Sequence, residues 1–185
     1  MDEQALIRQA KRGDKQSMEA LFRSHVDSAV RTAYMITHNW ATAEDAVQEA
    51  FIQAFRSLGT FQEGRPFKPW LTKIVVNKSR RIWAKFHSPW DELDQQVPDN
   101  SGHNLPEAEV LNWERRTRLI QAIKHLGEKH RLPLVLKYLS GLTEAEIGEV
   151  LGIPASTVKS RLFVARKQLA QKLADLEGGE QRGKA

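Results

Sequence analysis

The stretch Gly148–Phe163, GEVLGIPASTVKSRLF, sets Gly152 and Pro154 within three residues, between two segments of helical periodicity. A connection this short forces consecutive helices to cross steeply. Just upstream, Thr143 and Glu146 stand at capping-box spacing, so a helix is expected to start there. Gly152 tolerates the left-handed conformation that ends such a helix, and Pro154 suits the entry to the next. The pattern is that of a helix-turn-helix. Taken alone it fits a packing hairpin with a solvated basic face as well as a helix offered to a DNA groove.

On the second helix of the corner, Val158, Leu162, Ala165 and Leu169 fall within about 60° of one another at helical spacing and form the expected core stripe. Ser156, Ser160, Phe163, Val164 and Lys167 then face outward, with Thr157, Lys159, Arg161 and Arg166 on the flanks. Short hydroxyls near a helix N-terminus reach base edges, and longer cations reach phosphates. The outward Phe163 and Val164 are out of keeping with a merely solvated face. Contact with thymine methyls, or with another part of a complex, accounts for them.

Around this corner, the 185 residues carry a formal charge of +5 and include no cysteine. The basic balance points to a polyanionic partner, nucleic acid first. Without cysteine there is no disulfide framework, thiolate nucleophile or zinc–thiolate site, which suits a reducing compartment. The start, MDEQALIRQAKRGD, has no apolar segment of signal-peptide length, and no window approaches the roughly 18 apolar residues of a membrane span. A cytoplasmic protein that is not membrane-inserted is expected.

Periodicity at threes and fours runs through Ala5–Leu58, broken at Gly13-Asp14 and His38-Asn39, and predicts about three helices. Two glycines and two prolines make Leu58–Trp70 a loop, and WLTKIVVNKSRRIWAKF after it is a fourth helix. The acidic, proline-bearing text from His87 to about Leu111 reads as a flexible linker. Helices are expected beyond it at about 112–126, 130–139, 143–151 and 155–176. The fold class is all-α: two small helical domains, 1–87 and 112–177, joined by a linker over 88–111 and followed by a disordered tail over 178–185.

In the fourth helix, Leu71, Ile74, Val75 and Ile82 form the buried stripe, with Lys73, Asn77, Arg80 and Arg81 opposite and Trp70 and Trp83 near the edges. Cations track phosphates, an amide reads a base edge, and aromatics stack on unpaired bases, so the mixture suits a melted strand; core tryptophans beside a solvated face remain the alternative. Upstream, TAEDAVQEAFIQAF places Asp45 and Glu49 on one helical face with Glu44 and Gln48 beside them. In a basic protein this acidic patch is either a solvated face or a dock for a basic partner. The six histidines lack zinc spacing, and no phosphate-cradling loop or nucleophile elbow occurs, so neither a metal, a cofactor, a small-molecule substrate nor an enzyme is expected.

The ordered set AEDAVQEAFIQAFRSLGTFQ…FKPWLTKIVVNKSRR and LGEKHRLPLVLKYLSGLTEAEIGEVLGIPASTVKSRLFVARKQL resembles the bacterial extracytoplasmic-function (group IV) sigma factors over nearly the whole chain. The resemblance implies a factor that binds core RNA polymerase and directs promoter-specific initiation. Asp45, Gln48 and Glu49 would dock on the β′ clamp helices. The loop Thr60–Lys68 and the helix after it, with Phe61, Lys68, Trp70, Lys73, Asn77, Arg80 and Arg81, would read melted −10 DNA. Ser156, Thr157, Lys159, Ser160, Arg161, Phe163 and Arg166 would read the −35 duplex, and the second domain would also touch the β flap. An anti-sigma factor is a further implied partner. Arg81 stands where the family often has Asp, and Val164 where it often has Arg or His, which bears on the promoter sequence and not on the activity. The rival readings are an autonomous helix-turn-helix regulator, which needs symmetry-related half-sites, and a single-strand RNA adaptor.

Overall fold

Three short polar side chains start the first three helices. Asp2 caps α1 (Glu3–Lys11), Asp14 caps α2 (Lys15–Thr37) and Asn39 caps α3 (Trp40–Ser57), each accepting from a backbone N–H of the first turn. The Ser17 hydroxyl and amide hold the Asp14 carboxyl below the usual carboxylate range. Because that hydroxyl lies 2.8 Å from Gln9 Oε1, the amide, also at 2.8 Å, is the donor that persists. Between α2 and α3 the chain turns on His38, which takes the left-handed conformation with φ 55°. Both breaks read from the sequence therefore fall where helices end.

The computed structural model describes residues 2–86 and 107–182, with side chains described over 2–85 and 116–175. After α3 come a 3₁₀ turn (Leu58–Thr60), α4 (Phe67–Phe86), α5 (Glu107–Lys124), α6 (Glu128–Tyr138), α7 (Glu144–Leu151) and α8 (Ala155–Arg182); no strand occurs among the described residues. Three boundaries differ from expectation by three residues or more, the first being α4, which begins at Phe67 within the stretch read as a loop. α5 begins at Glu107, inside the stretch read as linker, and α8 continues to Arg182, through most of the stretch read as a disordered tail. Pro106 directly before Glu107 and Gly183 directly after Arg182 stand where these two ends fall, while Gly178-Gly179 only weakens the helix that runs through it. The rest of the expected linker lies outside the described residues.

The first unit, α1 to α4, buries Ile7, Leu21, Ala33, Phe51, Leu58, Phe67, Leu71 and Val75. Alanines at 43, 46, 50 and 54 give α3 a buried face of small side chains, which lets neighbouring helices approach closely. The second unit, α5 to α8, buries Leu126, Leu132, Leu136, Ile147, Val158, Leu162 and Ala165.

The two units share apolar contacts. Ile36 of α2 and Val76 of α4 belong to the buried cluster of the second unit, while Val135 of α6 belongs to that of the first. Thr32 and Ser140, both buried, exchange a hydroxyl hydrogen bond at 3.0 Å across this seam. Lys124 donates to the Tyr34 hydroxyl at 2.8 Å, and Arg80 pairs with Glu128 at 2.7 Å. Helix α4 is consequently buried on two sides, by Leu71 and Val75 towards its own unit and by Thr72, Val76 and Ser79 on the neighbouring flank. The sequence shows only the first of these stripes, because a serine and a threonine bracket the lone Val76 on the other.

Candidate nucleic-acid interface

The corner from Thr143 to Phe163 forms as its residues require. The Glu146 amide donates to the Thr143 hydroxyl, and the Thr143 amide donates to the Glu146 carboxylate at 2.7 Å, closing the capping box. Gly152 adopts φ 68°, and the Ile153 amide reaches back to the Gly148 carbonyl at 3.0 Å, the long bond of a Schellman ending. Gly148 is needed as well: a β-carbon there would lie 2.7 Å from the Ile153 carbonyl oxygen. Close helix-to-loop approach, rather than backbone freedom, fixes this glycine.

Beyond the corner, Val158, Leu162 and Ala165 are buried and Leu169 is partly so. Ser156, Lys159, Ser160, Phe163 and Arg166 are exposed, and Thr157 and Arg161 sit half-buried at the flanks. Phe163 is 65% exposed, with Val164 beside it, an apolar pair held out towards solvent on a helix of hydroxyls and cations. The face therefore offers donors at its N-terminal end, an apolar centre and cations around it, matching the chemistry of a major-groove edge.

On α4, Lys73, Asn77 and Arg81 form an exposed row at i, i+4 and i+8. Arg80 lies off that row, with its guanidinium held by Glu128. Lys68 is half-buried. Of the expected aromatic readers, Phe61 is buried, packed at 5.6 Å from the Phe67 ring and 5.1 Å from that of Trp70. Trp70 covers this pair and is itself half-buried, and Trp83 is half-buried with its ring against His38. In this conformation Phe61 is a core anchor for the loop and not a presented stacking surface. Burying about 150–250 Å² of aromatic surface outweighs leaving it in water.

An exposed aromatic does exist, but elsewhere. Trp40, 49% exposed at the start of α3, stacks on Tyr34 with ring centroids 4.1 Å apart. Its position beside a helix cap, away from any basic run, gave no sequence signal. On α3 itself, Glu44, Asp45, Gln48 and Glu49 are all exposed, and Glu49 pairs with Lys78 at 3.3 Å. The face continues into a groove lined by Glu49, Ile52, Gln53, Arg56, Ser57 and Lys78, of which Ile52 is an exposed apolar side chain. An acidic patch running into an apolar residue is suited to a basic protein partner.

Two family models match this chain: sigma-70 region 2 over residues 21–86 and sigma-70 region 4 over residues 116–169. The ECF RNA polymerase sigma factor SigW of Bacillus subtilis is 35% identical over 181 residues, covering 92% of this chain and 96% of that protein. The RNA polymerase sigma-H factor of Pseudomonas aeruginosa is 31% identical over 184 residues, covering 94% and 95%. Among solved structures, that of CnrH in complex with the cytosolic domain of CnrY is similar in fold, with a TM-score of 0.71 at 24% identity over 94% of this chain and 97% of that one. The chain belongs to the sigma-70 family, in its extracytoplasmic-function class. It is a sigma factor that directs RNA polymerase to promoters.

Proposed function

We propose that the exposed faces of α3, α4 and α8 are the polymerase, −10 and −35 contacts of this sigma factor. The observation that carries the reading is their separation: an acidic face around Asp45 and Gln48 and two basic faces stand on three different helices, none buried by the others. Asp45, Gln48 and Glu49 dock on the β′ clamp helices. Lys73, Asn77, Arg80 and Arg81, with Lys68 and Trp70 at the start of α4 and the loop that the buried Phe61 anchors, meet melted −10 DNA. Ser156, Thr157, Lys159, Ser160, Arg161, Phe163 and Arg166 meet the −35 duplex, the second unit also touching the β flap. Glu128 must release Arg80 for that residue to reach DNA, and an exposed pair of this kind is worth only about 0–1 kcal/mol.

The protein performs no covalent chemistry of its own. Unstacking a base costs a few kcal/mol, which stacking at about 1–3 kcal/mol per base offsets, so strand capture needs no nucleotide hydrolysis. Solved relatives in fold are complexes with CnrY and with the anti-sigma factor NepR, the latter from Bartonella quintana, which supports an anti-sigma partner here. The polymerase partner and the absence of any described helix able to cross a membrane support a cytoplasmic place of work. The test is footprinting of the chain with core polymerase on genomic promoter fragments. Protection at two blocks centred near −10 and −35 is expected, and a single symmetric block bound without polymerase would indicate an autonomous regulator instead.

A further inference from the structure

The loop between Phe61 and Phe67 is anchored at both ends by buried rings, but its five residues from Gln62 to Pro66 are exposed. Within the loop, the Arg65 amide reaches the Gln62 carbonyl at 3.3 Å, and Gly64 supplies a positive φ of 83°. One weak turn bond does not fix such a segment. Helix α1 does. The Gln4 amide nitrogen donates to the Arg65 carbonyl at 3.0 Å, while its oxygen accepts from the Gly64 amide at 3.1 Å. One turn pair further along, Lys11 donates to the Phe61 carbonyl at 2.7 Å and pairs with Glu63 at 3.4 Å.

Gln4 and Lys11 stand seven residues apart, hence on one face of α1. Ile7 and Ala10 on the same helix are buried in the core. Those apolar residues already hold α1 in place, so the polar contacts are not needed to dock it. What they determine is the position of the loop backbone at Phe61, Gly64 and Arg65. The region 2 family match begins at residue 21 and leaves α1 out.

We propose that Gln4 and Lys11 are positioning residues that hold the Phe61–Lys68 loop in the form that reads the −10 element. The role rests on the −10 assignment above. Gln4 is the more telling of the two, because its side-chain amide uses donor and acceptor together across one peptide unit. A carboxylate at that position keeps the acceptor and loses the donor. Lys11 requires only a cation, so Arg at 11 is the conservative replacement and Met the disruptive one.

Two readouts on the full chain test this. Amide hydrogen exchange at Gly64 reports the clamp without any DNA, and permanganate reactivity of −10 thymines in complex with core polymerase reports melting. With Gln4→Ala, exchange at Gly64 should rise about 3- to 10-fold and melting should fall by a similar factor. Polymerase co-purification and −35 protection should stay unchanged. Lys11→Met should act in the same direction, and Lys11→Arg should restore melting. Unchanged exchange in Gln4→Ala would show that the clamp does not exist in solution. Faster exchange with unaltered melting would show that it does not position the reader. If the unaltered chain melts no promoter, the −10 assignment falls and this role with it, while the exchange result still decides whether α1 holds the loop.

Discussion

The carbonyl oxygen of Ile153 lies 2.7 Å from the place a β-carbon would occupy on Gly148, so the corner that presents α8 closes only over a glycine. At Gly152 the space is open, and only its φ of 68° disfavours a side chain. Gly148→Ala should therefore cost about 1–3 kcal/mol, because backbone must shift. Gly152→Ala should cost about 1 kcal/mol, and Gly152→Asn less. Urea denaturation of the three variants checks the order.

Asp45 is exposed on α3 with the buried Ala43, Ala46 and Val47 around it in sequence. Asp45→Arg should leave the helical circular dichroism unchanged and abolish co-purification with core polymerase. Retained co-purification would place the dock elsewhere.

Lys159 and Arg166 flank the exposed face of α8. Each alanine substitution should weaken −35 binding, by about 1–3 kcal/mol if the cation meets a base edge. A cation that meets a phosphate should instead lower the salt slope by about one. Binding titrations over a range of salt concentrations separate the two.

Thr32 and Ser140 join the two units with hydroxyl oxygens 3.0 Å apart and buried. Thr32→Val and Ser140→Ala should each destabilise the chain by about 1–3 kcal/mol, because each leaves the other hydroxyl buried without its partner across the seam, and the double variant should cost less than the two single costs added together. Urea denaturation of the two single variants and the double checks this, and costs that simply add would contradict a hydrogen bond across the seam.

Much of this architecture is legible in the sequence because it rests on local chemistry. The capping box at Thr143 and Glu146, the left-handed Gly152 and the stripe of Val158, Leu162 and Ala165 are each set by residues a few positions apart. What is not legible depends on distant partners. Phe61 is buried because Phe67 and Trp70 close over it, and Val76 because the second unit covers it. Gln4 holds a loop about sixty residues away, a contact that no periodicity records. Arg80 reads as a DNA cation from its helix alone, and only the fold shows Glu128 holding it.

Run-off transcription reconstituted from purified core polymerase and this chain decides whether the three faces work together at a promoter. Initiation is expected at discrete sites on promoter templates, lost when either the −10 or the −35 block is scrambled and lost with Asp45→Arg. Core polymerase giving the same transcripts with and without the chain would contradict it.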